Sequence, residues 1–253
     1  MANPPKHLIY REQFTIRTYE IDNRKVATIP ALVKLMHEAA MQNVIRLKLS
    51  VWDLEPHQIS WVLMRKLLTI NRLPILGEKI TIETTPTGFE KFFTFRDYKV
   101  FDEQGELIAF SSSTWLLMDT QSRRMTRIPD FIMEFQQWMP APEVCLPRPT
   151  SKLPKFEPMG EGKQYLVRWH DLDFNMHLNN TFYVQWMIES VPEKLIQKGQ
   201  LKQMDIIYRT ECSWKEKVMA ELQVLDENSY LHRLVRQSDQ KEVALAKTTW
   251  MNM

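Results

Sequence analysis

The chain has 253 residues, of which 44% are hydrophobic and 25% charged, and its formal net charge is +2 at pH 7. This length suffices for one large domain or two of ordinary size, and so small a net charge gives no reason to expect nucleic acid or a membrane surface as a partner. Its two cysteines, Cys145 and Cys212, cannot build a disulfide framework, and no apolar run approaches the length of a membrane span. The first ten residues contain no apolar signal core, so we predict a cytoplasmic protein without integral membrane segments.

The first half of the chain predicts one strand, one long helix and then four strands. A strand is expected at 8–20, and a helix begins near Pro30, a residue that suits the first helical turn. The apolar residues of this helix recur every three or four positions and should form one buried stripe. The stripe consists of Leu32, Leu35, Met36, Ala39, Ala40 and Leu47. His37 lies off it, which predicts a solvated surface position for this side chain.

The four following strands are expected at about 60–70, 78–86, 90–101 and 106–118. The last two are joined by Asp102-Glu103-Gln104-Gly105, a hairpin signal. One strand, one long helix and a run of antiparallel strands is typical of an α+β fold.

Residues 139–163 differ in composition because six prolines fall within them. Prolines at this density give an extended, semi-rigid connection. We therefore predict an N-terminal domain at 1–138, a linker at 139–163 and a C-terminal domain at 164–253.

The second half repeats the order of the first. A short strand at 164–168 precedes a polar stretch and a helix at 180–191, and strands follow at about 203–211, 217–226, 229–237 and 241–251. Individual residues of the two halves also agree in spacing and type. The first half has Arg17, Glu20, Ile21 and Asp22, and the second half has Arg168, Asp171, Leu172 and Asp173. We therefore predict a tandem duplication. Two fused units of this kind would form an internal pseudo-dimer, and pairing of two chains into a homodimer stays open.

The polar stretch before the second helix alternates in character. Its polar members are Asp171, Asp173, Asn175, His177 and Asn179, and its apolar members are Leu172, Phe174, Met176 and Leu178. In an extended segment the polar set would share one side while the apolar set anchored the other. A helix starts directly afterwards, at Asn179 or Asn180, both good N-caps, so N–H groups there could polarise a substrate carbonyl.

Three of these residues offer a carboxylate, an amide and an imidazole within five positions. His177 is suited to proton transfer near neutral pH, Asn175 can orient water or donate to an oxyanion, and Asp173 can position His177 or a backbone group. The alternative is that they only cap and close a tight loop, as Asp and Asn often do. The position before a helix start favours a functional site. The first unit has no histidine after Asp22, so only the second unit is expected to carry chemistry.

A second candidate pair, Glu211 and Cys212, ends a predicted strand. Cys212 could be a thiol nucleophile paired with His177 and oriented by Asn175. Alternatively, Glu211 is the base that activates water, and Cys212 is a small buried residue. We favour the carboxylate, since a lone cysteine in a strand usually serves packing. No group of histidines has metal-ligand spacing and no glycine-rich phosphate loop is present, so neither a metal nor a cofactor is expected.

Basic side chains form three further groups. They are Arg123, Arg124 and Arg127; Arg65 and Lys66; and Lys215 with Lys217. Each is either a solvated face or a docking patch for an acidic partner.

The polar stretch and the residues that follow it resemble the signature of the fatty acyl-ACP thioesterases, and the resemblance covers nearly the whole chain. It is carried by the stretch 171–180, by Tyr183, Trp186, Glu189-Ser190 and Pro192, by Tyr208-Arg209-Thr210-Glu211-Cys212, and in the first half by Arg17-Thr18-Tyr19-Glu20-Ile21, Trp61-Val62-Leu63-Met64-Arg65 and 123–129. The resemblance implies two tandem hot-dog domains, each an antiparallel sheet wrapped around a long central helix. It also implies that the acyl chain lies in the first domain.

The activity that the resemblance implies is hydrolysis of the thioester between a fatty acyl chain and acyl carrier protein, in fatty acid biosynthesis. It assigns catalytic roles to Asp173, Asn175, His177 and Glu211, with Cys212 as the alternative nucleophile. Plant members of the family begin with a plastid transit peptide, and the absence of one here suggests a bacterial-type member. An acyl-CoA thioesterase or a hot-dog dehydratase is the alternative within enzymes, and a non-catalytic acyl-binding protein is the alternative outside them.

Overall fold

The structure, a computed structural model, describes residues 8–158, 160 and 162–251. The chain divides into two compact units. Unit 1 comprises the described residues up to Lys66 together with Asn71–Arg148, and unit 2 comprises Leu67–Ile70 and the described residues from Pro149 onward. The boundary between the two units falls after Arg148, inside the proline-rich segment.

Unit 1 consists mainly of one long helix and an antiparallel sheet. Its elements are β1 (Tyr10–Thr15), α1 (Ile29–Arg46), α2 (Val51–Leu54), β2 (Ile59–Ile70), β3 (Lys79–Glu90), β4 (Phe93–Phe101), β5 (Leu107–Asp119), β6 (Met125–Thr126) and α3 (Asp130–Met133). The last four residues of β2, Leu67–Ile70, are the ones grouped with unit 2. The strands of the sheet lie in the order β1–β3–β4–β5–β2, with β6 beside β5. The predicted hairpin joins β4 to β5, where Gly105 adopts a positive φ of 83° and donates from its N–H to the carbonyl of Asp102 at 3.1 Å.

Helix α1 begins and packs as its sequence predicts. Thr28 is the N-cap, and its Oγ1 accepts from the N–H of Ala31 at 3.2 Å, with Pro30 in the first turn. All six residues of the predicted stripe are buried. Full burial of a large aliphatic side chain contributes about 1.5–3 kcal/mol, so this stripe accounts for much of the stability of the helix in unit 1.

Unit 2 repeats this architecture. Its elements are β7 (Lys163–Leu166), α4 (Asn180–Ile188), α5 (Glu193–Lys198), β8 (Gln200–Tyr208), β9 (Lys217–Val224), β10 (Ser229–Arg236) and β11 (Glu242–Met251). The strand order β7–β9–β10–β11–β8 corresponds strand by strand to that of unit 1. Asn179 is the N-cap of α4, as predicted. The helix ends at Ile188 rather than at 191, and a second short helix follows Pro192.

The proline-rich segment is attached to the unit on each side of it. In unit 1, Leu146 donates its N–H to Asp97 Oδ2 at 2.6 Å, and the Arg148 guanidinium lies 3.5 Å from the ring centroid of Phe95. In unit 2, Phe156 packs with Leu231 and Leu245. The segment is therefore held along the outer faces of the sheets.

Two expectations about unit 1 are wrong. Lys66, expected in a basic docking patch, is only 1% exposed. His37, expected in solvent, is half-buried with its Nε2 atom enclosed, because the ring packs edge-on against Trp115 with centroids 6.5 Å apart. Burial, with the nearby charge of Lys66, lowers the pKa of His37 to about 3.

No helix among the described residues is both long and apolar enough to cross a membrane.

Candidate active site

The polar stretch forms a tight turn closed by Asp173. Its Oδ1 accepts from the N–H groups of Asn175 at 2.8 Å and His177 at 3.2 Å, and its own N–H donates to the carbonyl of His177 at 2.7 Å. Met176 adopts a left-handed φ of 62° inside the turn. Burial raises the pKa of Asp173, while the N–H donors and the nearby charge of His177 partly oppose that shift.

The turn overturns the expectation that all four apolar residues anchor the stretch. Leu178 is buried, but Phe174 is 62% exposed and Met176 49% exposed. Strict alternation of sides holds only for extended chain, and the turn interrupts it between Asp173 and His177.

Of the two adjacent candidates Glu211 and Cys212, Glu211 contacts the side chain of His177. The carboxylate Oε2 lies 3.3 Å from His177 Nε2, and both side chains are half-buried. The backbone causes this approach, because Leu178 donates its N–H to the carbonyl of Cys212 at 2.7 Å and His177 forms a β-bridge with Ser213. His177 and Glu211 are 34 positions apart in the sequence, and they meet because the backbone segments that carry them are hydrogen-bonded to each other.

The backbone at Glu211 is fixed by a residue that sequence reasoning missed. Arg236, at the end of β10, donates from Nη1 to the carbonyl oxygen of Glu211 at 2.7 Å. Its guanidinium also pairs with Asp239 at 2.7 Å and Glu216 at 3.6 Å, and these charges raise the pKa of Arg236. The only signal in the sequence is that Arg236 and Asp239 lie three residues apart at a hairpin, which does not indicate the contact with Glu211.

Cys212, unlike half-buried Glu211, is fully buried. Burial raises the pKa of its thiol to about 11. A thiol with such a pKa is almost entirely protonated at neutral pH and is a poor nucleophile. Tyr183 lies beside it, and the Tyr183 hydroxyl donates to the carbonyl of Thr210 at 3.3 Å. These surroundings fit a packing role.

Asn175 and the start of α4 contribute less than the sequence indicates. The Asn175 side chain is exposed and forms no hydrogen bond with any described residue. At the helix start, Asn179 accepts from the N–H of Thr181 through its side chain at 3.0 Å and from that of Phe182 through its carbonyl at 2.9 Å. Two of the N–H groups expected to polarise a substrate carbonyl are therefore already bonded.

An aromatic pair lies beside the site. Trp169 and Trp214 meet edge to face with centroids 5.1 Å apart, and both are about half exposed. The ammonium of Lys215 lies 4.2 Å from the Trp214 ring centroid. Because Trp214 directly follows Ser213, the bridge partner of His177, this basic and aromatic surface adjoins the histidine.

The same loop occurs in unit 1 without a histidine or a glutamate at the corresponding positions. Asp22 closes it by accepting from the N–H of Arg24 at 2.8 Å and donating to the carbonyl of Val26 at 2.9 Å. Ala27 then donates to the carbonyl of Pro74 at 2.8 Å, as Leu178 does to Cys212. The residue in the position of His177 is Val26, and the residue before Pro74 is Leu73, in the position of Glu211.

Across the described ranges, no cluster of three or more histidine, cysteine, aspartate or glutamate side chains could hold a metal ion.

An antiparallel sheet packed on a helix, present twice, places the chain among proteins of the hot-dog fold. Two solved structures share it along nearly their whole length. An acyl-ACP thioesterase from Bacteroides thetaiotaomicron superposes with a TM-score of 0.85 at 18% identity, covering 96% of this chain and 98% of that one. The 12:0-ACP thioesterase from Umbellularia californica gives a TM-score of 0.82 at 24% identity, covering 97% and 98% of the two chains.

The family follows from sequence models that match both units. Residues 7–135 match the acyl-ACP thioesterase N-terminal domain, and residues 157–252 match the C-terminal domain. The chain belongs to the acyl-ACP thioesterase family. A chloroplastic acyl-[acyl-carrier-protein] hydrolase of Cuphea viscosissima is 28% identical over 259 residues, which cover 96% of this chain. The chain spans 63% of the length of that relative.

Proposed function

We propose that this protein hydrolyses the thioester of a fatty acyl chain carried by acyl carrier protein, releasing the free fatty acid and the holo carrier protein. The observation that carries the proposal is the approach of Glu211 to His177 at 3.3 Å, in a chain that belongs to the acyl-ACP thioesterase family. Glu211 and His177 hold a carboxylate and an imidazole at a spacing that can orient one water molecule and take its proton.

In the proposed mechanism, that water attacks the thioester carbon. A C–O bond forms while the proton of the water passes to the Glu211–His177 pair, and the C–S bond then breaks. The proton moves from the pair to the departing thiolate sulfur. Asp173 holds the turn that carries His177, and the exposed amide of Asn175 is free to donate to the carbonyl oxygen as negative charge develops there.

The carrier protein is proposed to approach over the aromatic pair and Lys215. This surface joins exposed apolar area to a positive charge two residues after Ser213, the bridge partner of His177, a combination suited to an acidic partner that delivers an apolar chain. In unit 1, the predicted basic group of Arg123, Arg124 and Arg127 is exposed and is a separate candidate for such a contact. We also propose that the two units act as an internal pseudo-dimer and that the protein works in the cytoplasm.

One assay series tests the proposal. Initial rates would be measured on dodecanoyl-ACP, dodecanoyl-CoA and 3-hydroxydodecanoyl-ACP, with Glu211→Gln beside the wild type. Release of dodecanoate from the carrier-bound substrate at a much higher kcat/KM than from the CoA ester, and its loss in the variant, would support the proposal. Preference for the CoA ester, formation of an enoyl product, or tight binding of acyl-ACP without turnover would each assign a different function.

A further inference from the structure

The segment that carries Glu211 is held at three consecutive peptide carbonyls. It lies between β8, which ends at Tyr208, and β9, which begins at Lys217, so its conformation depends on contacts other than a strand ladder. The carbonyls of residues 210, 211 and 212 accept, in that order, from the Tyr183 hydroxyl at 3.3 Å, from Arg236 Nη1 at 2.7 Å and from the N–H of Leu178 at 2.7 Å. The backbone around Glu211 is therefore fixed, and the rotamer of the side chain sets where its carboxylate lies.

Among these three donors, Arg236 carries a charge and is itself held on a second edge. Its Nε and Nη2 atoms donate to the two carboxylate oxygens of Asp239 at 3.0 Å and 2.7 Å, while Nη1 donates to the Glu211 carbonyl. The Glu216 carboxylate lies 3.6 Å from Nε, and the Arg236 side chain is only 14% exposed. A planar guanidinium bound on two edges has little freedom left, so it presents a donor at a fixed place.

The same cluster holds the backbone beside His177. The Glu216 carboxylate that lies near Arg236 also accepts from the N–H of Ser213 at 2.7 Å. Ser213 is the residue that forms the β-bridge with His177. One guanidinium thus contacts the backbone of Glu211 directly and that of Ser213 through Glu216. Since a misplacement of about 1 Å can cost about 10²-fold in rate, such a cluster can decide how well the reactive pair works.

Unit 1 contains an ionic cluster of the same kind. Arg72 pairs with Glu78 at 2.7 Å and with Asp102 at 2.6 Å. Glu78 accepts from the N–H of Ile75 at 2.8 Å, and Ile75 forms the β-bridge with Val26. In both units a glutamate therefore holds the bridge partner of the loop, and the two clusters differ in where the arginine comes from.

The arginine has changed its position between the two clusters. Asp102 and Arg236 are equivalent, because each opens the hairpin after its strand with a backbone hydrogen bond across the turn. The residue six positions before the glutamate is Arg72 in unit 1 and the uncharged Thr210 in unit 2. The cation thus comes from the loop segment itself in unit 1 and from the facing hairpin in unit 2. The second arrangement keeps the ionic cluster and adds a donor to the carbonyl of Glu211.

We propose that Arg236 is a positioning residue, which keeps the Glu211 carboxylate within reach of His177 by holding the peptide of Glu211. It acts through Glu211 and takes no part in proton transfer. This role rests on the proposed thioesterase function, because it concerns the pair that activates water there. Loss of Arg236 should lower kcat with little change in KM, since the pair is displaced while the surface proposed to meet the carrier protein is unchanged.

Kinetics on dodecanoyl-ACP with the full chain test this role. Arg236→Met removes every donor of the guanidinium, and we expect kcat to fall by about 10–10²-fold with KM within about twofold of the wild type. Arg236→Lys keeps the charge but lacks the planar fork that binds Asp239 and the carbonyl together, so its kcat should lie between the two. If Arg236→Met does not fold, Arg236→Lys decides the question.

Arg72→Met is the matched control, because it removes the arginine of the cluster in unit 1. Both methionine variants lose ion pairs and should unfold at a lower urea concentration than the wild type. Only the variant at Arg236 should lose kcat. Wild-type kcat in the folded Arg236 variants would overturn the proposal, and so would an equal loss of kcat in Arg72→Met, since that loss would reflect general destabilisation.

A double-mutant cycle separates positioning from an independent effect on turnover. If Arg236 acts through Glu211, an Arg236 variant combined with Glu211→Gln should be no slower than Glu211→Gln alone. Two losses that multiply in the combined variant would show that Arg236 acts elsewhere, and the positioning role would be wrong.

Nitrogen NMR of the His177 ring tests the contact without turnover. Glu211→Gln serves as the reference for a broken pair, and the Nε2 resonance of His177 should move toward that reference in Arg236→Met and stay in place in Arg72→Met. An unmoved resonance in the folded Arg236 variants would overturn the positioning role. A moved resonance in a protein whose wild type hydrolyses no dodecanoyl-ACP would instead refute the thioesterase function and leave the effect of Arg236 on the pair standing.

Discussion

His177 in unit 2 occupies the position that Val26 occupies in unit 1. Each follows a residue with a left-handed φ, 62° at Met176 and 63° at Lys25. Each accepts a backbone hydrogen bond from the aspartate that closes its loop, and each forms a β-bridge, His177 with Ser213 and Val26 with Ile75. The two loops thus share these backbone features, and they differ in the side chain at this position, an imidazole in unit 2 and an isopropyl group in unit 1.

Glu211→Gln should reduce kcat by about 10²–10⁴-fold, the usual contribution of a positioned general base. The amide keeps the size of the carboxylate but cannot accept a proton, so the fold should be unaffected. Hydrolysis of dodecanoyl-ACP measures the effect, and circular dichroism checks the fold. Wild-type turnover in this variant would remove Glu211 from the mechanism.

Cys212→Ala should retain turnover close to that of the wild type. The thiol is fully buried, and its pKa of about 11 keeps it protonated in the range where the enzyme would work. Loss of the sulfur leaves a small cavity and should cost on the order of 1 kcal/mol in the free energy of unfolding. Kinetics and urea unfolding would be measured on the same preparation. A folded but inactive variant would restore the thiol hypothesis.

Asp173→Ala should lower kcat far more than Asp173→Asn. An asparagine oxygen can still accept from the N–H groups of Asn175 and His177, whereas alanine leaves both without an acceptor. We therefore expect a loss of orders of magnitude for alanine, and partial retention for asparagine if the role is to hold the turn. Equal, near-complete loss in both variants would instead indicate that the negative charge itself is required.

Lys66→Met should stabilise the protein at pH 7 by on the order of 3 kcal/mol. The pKa of Lys66 is about 7 in the folded state against an ordinary value of 10.5, so between these values the unfolded state binds more protons. The contribution of Lys66 to the free energy of unfolding consequently rises with pH, and the gain from methionine should shrink as the pH approaches 10. Urea unfolding of both proteins at pH 7 and pH 9 measures the difference. A gain that is the same at both values would show that Lys66 does not titrate in this range.

The order of the elements was predictable from the sequence because each start and stop depends on neighbouring residues. Thr28 with Pro30 sets the start of α1, Asn179 that of α4, and Gly105 the turn between β4 and β5. The sequence left two possible partners for His177, Glu211 and Cys212. Adjacent residues of a strand point to opposite sides, and the sequence does not show which of the two sides faces the loop.

The remaining errors arise from contacts distant in sequence. The helical period placed His37 off the buried stripe, but Trp115 of β5 covers its ring. Lys66 was expected in solvent with Arg65, yet it is buried, with its ammonium 4.0 Å from the ring centroid of Tyr98. Phe174 and Met176 were assigned to an extended segment, and the positive φ of Met176 that turns the chain cannot be inferred from a residue type that rarely adopts it.

The loop of unit 1 that carries Val26 gives the molecule an internal reference for spectroscopy. The backbone amides of Ala27 and Leu178 make matching hydrogen bonds in one chain, to the carbonyls of Pro74 at 2.8 Å and Cys212 at 2.7 Å, so changes in temperature, denaturant or salt that act through the backbone should shift both resonances alike. A substrate analogue or a change in protonation at the Glu211–His177 pair should shift only the second. The difference between the two chemical shifts in one sample would then report on ligand binding or protonation at the Glu211–His177 pair, without a separate variant as a control.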